Sequence, residues 1–158
     1  MKRQVAKGLT MLMLVVGLAL ASAAVANGQS GRQVTAQIPF DFIVAERTLR
    51  SGQYQVTKAN GAGDVLAIRS ADRTEQLMRL SRPVIAKNRQ DKSAKLVFHR
   101  YGSTYFLSQV WVAGSDEGRE FTKSRNERAL ESELKKIAAY HGETMPVYEV
   151  VEVIASLR

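Results

Sequence analysis

Lys95-Leu96-Val97-Phe98-His99-Arg100-Tyr101-Gly102-Ser103-Thr104-Tyr105-Phe106-Leu107-Ser108-Gln109-Val110-Trp111-Val112 decides the fold. Two runs rich in β-branched and aromatic residues, 95–101 and 104–112, flank Gly102-Ser103. Such side chains suit a pleated, half-covered surface. A two-residue link with Gly first reads as a tight hairpin turn. Leu96, Phe98 and Arg100 share one face, and Val97, His99 and Tyr101 the other. In the second run Tyr105, Leu107, Gln109 and Trp111 alternate with Phe106, Ser108, Val110 and Val112. Apolar residues on both faces predict a central hairpin that is covered in part on each side.

Toward the N-terminus, Val34, Ala36, Ile38, Phe40, Phe42 and Val44 recur with period two, which predicts one half-buried strand. Pro39 has no N–H for a ladder bond, which places this strand at an edge or on a bulge. Gln53–Lys58 and Val65–Arg69 read as strands joined by Asn60-Gly61-Ala62-Gly63-Asp64, residues that tolerate positive φ. Glu75–Ile85 reads as a further strand, weakened at its end by Pro83, and residues 86–93 as a polar loop. Toward the C-terminus, Ser124 fits an N-cap with Glu127 three residues on, a capping box. Leu130, Leu134, Ile137 and Ala138 then line one helical face, and Glu131 with Lys135 makes an i,i+4 pair. His141 at the helix end, Gly142 as a left-handed stop and Pro146 predict its termination, with Val147–Ile154 as a last strand. The expectation is a mostly β fold: an antiparallel β-barrel or sandwich of about seven strands with one α-helix in the C-terminal half, packed on the sheet or closing one end.

Residues 1–26 carry a different signal. Lys2, Arg3 and Lys7 precede an uncharged run from Leu9 to Ala21, and Ala24-Val25-Ala26 supplies a small-x-small cleavage pattern. This reads as a secretory signal peptide 1–26, followed by a single β-rich domain 27–158. About 13 uncharged residues fall short of the roughly 20 that span a bilayer. The expected location is outside the inner membrane, periplasmic or extracellular, with no transmembrane helix in the mature chain. With 0 cysteines, disulfides, thiolate metal sites, thiol catalysis and a lipoprotein anchor are excluded.

The signal segment holds three of the 23 Lys/Arg and none of the 15 Asp/Glu, so the net charge of +8 falls to +5 in the mature domain. That charge is uneven. Residues 69–100 hold nine cations against Asp72, Glu75 and Asp91, while residues 101–158 carry a net −2. A basic middle segment can meet an anionic glycan or lipopolysaccharide by charge. It equally suits solvated strands whose lysines block edge-to-edge pairing.

No reactive constellation is visible. His99 and His141 are far apart in sequence and suggest no metal site. Gly114-Ser115-Asp116-Glu117-Gly118 has the composition of a surface turn, not of a nucleophile elbow. No phosphate loop or dinucleotide fingerprint occurs. No catalytic residue, metal ligand or cofactor is therefore assigned. Phe98, His99, Arg100, Tyr101, Tyr105, Phe106 and Trp111 could stack on rings beside cations, but a core role is the simpler account, and nucleic acid is not the expected partner. Arg100, Tyr105 and Trp111 are the candidate ligand-binding residues. If Arg100 shares the interior with Phe98, it needs a carboxylate partner or a cavity.

Ile38-Pro39-Phe40-Asp41-Phe42-Ile43-Val44, Leu49-Arg50-Ser51-Gly52-Gln53-Tyr54, residues 95–102, residues 105–111, Gly118-Arg119-Glu120 and Lys123-Ser124 with Glu127-Arg128 together resemble a group of small secreted bacterial proteins of unknown function. The resemblance implies a compact, mostly β exported protein and brings no activity or ligand. Where many such sequences carry Pro before Gly-x-Tyr, this chain has Ser51, which should loosen that turn.

Three functions follow as expectations. The first is a non-enzymatic exported protein that binds a small apolar or sugar ligand or supports the envelope. The second is a hydrolase of envelope polymer using Asp41 or Glu75 with His99. The third is a basic surface module for anionic glycan or lipopolysaccharide. If residues 1–26 are removed on export, N-terminal sequencing of the exported protein will begin at Asn27; material beginning at Met1 would refute the signal-peptide assignment.

Overall fold

The computed structural model describes residues 33–86, 91–140 and 147–157. The expected signal peptide, Lys87 and Arg89 of the basic segment, and the helix-ending His141, Gly142 and Pro146 lie outside the described residues.

Ten strands and one helix are present among the described residues. In chain order they are β1 (Val34–Ile38), β2 (Phe42–Val44), β3 (Arg47–Leu49), β4 (Gly52–Lys58), β5 (Val65–Ser70), β6 (Gln76–Ile85), β7 (Ala94–Tyr101), β8 (Thr104–Trp111), β9 (Glu117–Phe121), α1 (Arg125–Tyr140) and β10 (Glu149–Leu157). The mostly β class with one helix is as expected, and the architecture is the barrel, not the sandwich. The expected strand count is low. The single strand anticipated over 34–44 divides around Pro39-Phe40-Asp41, and β3 and β9 are too short to show a period.

Eight strands close a ring in the order β8-β7-β10-β1-β4-β5-β6-β9 and back to β8, every pairing antiparallel. Closure removes the unpaired edges that would otherwise invite aggregation. The ring is incomplete at one end. There β9 pairs only with Gln109–Trp111, and β2 takes the vacant edge of β8 through a parallel bridge between Ile43 and Phe106. β3 completes the patch toward β6: Arg47 Nη1 donates to the Gln76 carbonyl at 3.3 Å, and the Arg50 N–H to Glu75 Oε2 at 3.4 Å.

The interior follows the pleat. Val34, Ala36, Ile38, Val56, Leu66, Ile68, Leu96, Phe98, Leu107 and Val110 all belong to one buried cluster, with Phe42, Val44 and Leu49 contributed by the patch. Phe98, Ile38 and Val44 are 0% exposed, so the lumen around them is filled with side chains. Phe42 meets Tyr54 and Phe98 edge-on, with ring centroids 5.0 and 5.6 Å apart, a geometry in which ring edge faces ring cloud.

The β7–β8 hairpin turns as expected, with Gly102 at φ +61°. Its register contains one surprise. Val97 faces Gln109 but Phe98 faces Leu107, which leaves Ser108 as an extra residue on β8. A bulge of this kind reverses the side-chain alternation beyond it. Leu107 and Val110 therefore both enter the core, and Trp111 turns outward to cover Gly118 of β9. A Cβ at Gly118 would stand 2.7 Å from the indole ring.

The helix is anchored mainly at its start. Ser124 Oγ accepts the Glu127 N–H at 3.0 Å as an N-cap should, and Glu46 Oε1, from the β2–β3 turn, accepts the Arg125 N–H at 2.9 Å. The preceding Ala45 sits at φ +59°, an unfavourable conformation for a residue with a Cβ, and this bend carries Glu46 to the helix. Leu130, Leu134 and Ala138 are only half-buried and Ile137 is exposed. No helix among the described residues is long and apolar enough to cross a membrane.

Because nothing at Gly118 can make room for a side chain without moving the indole, Gly118→Val should destabilise the protein by about 1–3 kcal/mol. Urea unfolding followed by Trp111 fluorescence measures this; an unchanged midpoint would contradict the packing.

Candidate functional site

Arg100 and Tyr105 do come together. They are cross-strand partners on the inner face at one end of the barrel. Arg100 finds the carboxylate it needs: Nη1 lies 3.1 Å from Glu149 Oε2, and Nε donates to the Gly102 carbonyl at 2.8 Å. The guanidinium carbon stands 5.6 Å from the Tyr105 ring centre, within cation–π range. Phe40 stacks on Tyr105 at 3.8 Å and 13°, and meets Phe98 edge-on. Tyr105 is thus engaged by Phe40 and Arg100, which is the arrangement of a plug and leaves little ring face for a ligand. Trp111 is not part of this group. The bulge at Ser108 places it on the outer face, where its indole N–H donates to Gln109 Oε1 at 3.0 Å.

The hydrolase residues are not assembled. His99 points out of the wall, and its Nδ1 lies 2.9 Å from Glu127 Oε1. Its ring packs 4.2 Å from Tyr148. Glu127 also accepts from the Tyr101 hydroxyl at 3.4 Å. The carboxylate expected to complete the capping box instead bonds the barrel wall and docks the helix on it. Asp41 is committed elsewhere, with Oδ1 accepting the Ser51 N–H at 2.7 Å. Glu75 accepts the hydroxyl of Tyr54, a residue that faces the barrel interior. Among the described residues no group of three or more His, Cys, Asp and Glu is placed to hold a metal ion.

The basic segment is less free than its composition suggests. Arg82 pairs with Glu120 at 2.8 Å, Lys95 with Glu152 at 2.7 Å, and Lys92 with Asp116 at 3.6 Å. With Arg100 on Glu149, acids from the C-terminal half neutralise much of it. Arg79 is different. Its guanidinium reaches past the end of β9 and donates to the Thr122 carbonyl at 3.4 Å. There it joins Lys123, Arg125 and Arg128 around a hollow of about 530 Å³. Glu46 is the one acid in its lining, and one oxygen of Glu46 is occupied by the Arg125 N–H. Lys123 pairs with Glu131 at 2.7 Å and lies 4.9 Å from the Tyr148 ring centre. Lys123, then Lys135, holds the Glu131 carboxyl below the usual carboxylate range. Arg79, Arg125 and Arg128 have no carboxylate partner among the described residues. Glu46 takes the Arg125 N–H and Ser124 the Glu127 N–H, and the guanidinium and ammonium side chains bring the formal positive charge to the hollow. Along the chain Arg79 belongs to the basic stretch 69–100, and Lys123, Arg125 and Arg128 to the net-acidic stretch 101–158. Only the fold brings them together.

No family model, curated protein or solved structure matches the chain.

Two phenols register the buried polar contacts. Burial, then the Glu75 hydrogen bond and charge, raises the Tyr54 hydroxyl well above the ordinary tyrosine range. Burial, then the Glu127 charge, does the same to Tyr101. A folded-state pKa above the unfolded one gives stability that is complete below about pH 10 and declines as pH rises beyond it. Urea midpoints should therefore hold steady up to about pH 10 and then fall, and the fall should shrink in the double variant Tyr54→Phe/Tyr101→Phe. An identical alkaline decline in that variant would contradict the assignment.

Proposed function

We propose that this chain is an exported, non-enzymatic envelope protein that docks on anionic material through the hollow lined by Arg79, Lys123, Arg125 and Arg128. The supporting observation is that hollow, where three guanidinium groups lacking carboxylate partners converge beside a single acid. Guanidinium forks match phosphate, sulfate and carboxylate geometry, so the chemistry favoured is a multivalent anion such as a phosphorylated or acidic glycan. The filled lumen argues against a carrier for small apolar ligands, because Phe42, Phe98, Ile38 and Leu49 leave no room among them. The engaged rings at Arg100 and Tyr105 argue against a sugar platform there. The separate commitments of Asp41, Glu75 and His99 argue against the hydrolase. Export is supported by the basic, apolar and small-residue succession of residues 1–26.

Retention on dextran sulfate tests the reading. The protein should elute at markedly lower salt once Arg79→Glu and Arg125→Glu are combined, and binding should weaken steeply with ionic strength. A charge-matched control, Lys58→Glu with Lys136→Glu, should lose much less. Flat salt dependence, or equal loss in the control, would overturn the proposal.

A further inference from the structure

Met78 and Leu80 project from the outer face of β6 and are 61% and 64% exposed. They lie opposite Ala67 and Val65 of β5, so four apolar residues form one continuous stripe. Cations frame it. Arg69 sits opposite Gln76 at one end, its Nε donating to Gln76 Oε1 at 3.2 Å. Arg47 donates to the Gln76 carbonyl, and Arg82 follows Leu80 on the same face of β6. Arg79, between Met78 and Leu80 in sequence, belongs to the hollow. Of the nearby acids, Glu120 and Arg82 pair with each other, and Asp64 accepts from the Asn60 side-chain amide and keeps its charge, which leaves Arg47 and Arg69 as the unpaired charges framing the stripe.

We propose that this stripe is a lipid-contacting face and that the protein docks on an anionic lipid surface, with Met78 and Leu80 entering the interface while the flanking arginines meet headgroup phosphates. The inference rests on the anion-binding reading of the hollow and names the partner it would meet. Charge decides between the available occupants. A second copy set against the stripe would bring two sets of Arg47 and Arg69 together, which unlike Arg82 have no carboxylate partner among the described residues, and like charges oppose that contact. An anionic lipid surface offers the opposite sign together with apolar depth. Interfacial binding grows with buried apolar area and with the attraction of basic residues to anionic headgroups.

Sedimentation with vesicles tests this, using protein expressed from the full sequence. The apolar run Leu9–Ala21 is common to every variant, so differences between variants report on β6. Vesicles of phosphatidylcholine with phosphatidylglycerol should bind the protein, and vesicles of phosphatidylcholine alone should bind it far less. The double variant Met78→Ser/Leu80→Ser should bind the anionic vesicles about tenfold more weakly while keeping its retention on dextran sulfate. Val150→Ser with Ile154→Ser, a pair 59% and 62% exposed on β10, should bind as the parent does. Equal vesicle binding by parent and Met78/Leu80 variant, or equal loss in the β10 control, would overturn the lipid face. So would a parent dimer in sedimentation velocity that the Met78/Leu80 variant fails to form. A parent held by dextran sulfate but indifferent to anionic vesicles would sink the lipid face and leave the hollow standing; absent retention on dextran sulfate would remove both.

Discussion

Strand β8 has two edges and three neighbours, and the rest of the molecule is arranged around that shortage. β7 takes one edge along its length. β9 takes the far half of the other, and β2 the near half through one parallel bridge. Without β2–β3 the wall would stand open between β8 and the start of β6, with backbone groups unpaired beside an apolar core. The patch supplies both missing things. Its backbone covers the gap, and Phe42, Val44 and Leu49 fill the lumen behind it. Its turn does a third job, since Glu46 holds the first N–H of α1. The bulge at Ser108 lies between the two segments of β8 that use different neighbours, where added twist helps the strand leave one for the other.

That arrangement explains what could be read from the chain directly and what could not. The β7–β8 and β4–β5 hairpins were legible because their causes are local: Gly102 at positive φ, and Asn60, whose side-chain oxygen accepts from the Gly63 N–H at 2.9 Å. The start of α1 was legible for the same reason, through Ser124. The extra residue at Ser108 left no mark, because Leu107-Ser108-Gln109 alternates as smoothly as any strand. A shift of one residue then moved Trp111 to the opposite face and separated it from Arg100 and Tyr105. The meeting of β8 with β9 and β2 depends on closure, a property of the whole ring that no short window contains.

Glu127 shows how one residue type can satisfy a pattern and serve another end. Its position three after Ser124 fits the capping box, and its N–H is capped as that motif requires. Its carboxylate, however, goes to His99 and Tyr101 on the barrel wall. A buried carboxylate needs hydrogen-bond donors, and those two side chains provide them. This fixes the helix to β7 by its first turn, while its later apolar positions stay half-covered or open. The same fixed first turn holds Arg125 and Arg128 in place beside Arg79.

The distribution of partners makes the hollow stand out. Acids are not scarce in this chain, since Lys92, Lys95, Arg82 and Arg100 each meet one, and Lys123 and Lys135 share Glu131. Against that background the convergence of Arg79, Arg125 and Arg128 on Glu46 alone is not a matter of composition. Like charges held close together oppose the compact state, and an anion drawn into the hollow relieves that repulsion. The hollow lies outside the filled interior, where β6, the β2–β3 turn and the start of α1 bring side chains from three separate segments together. The shortage of edges at β8 therefore accompanies a concave, cation-rich surface that the chain's charge pattern alone did not locate.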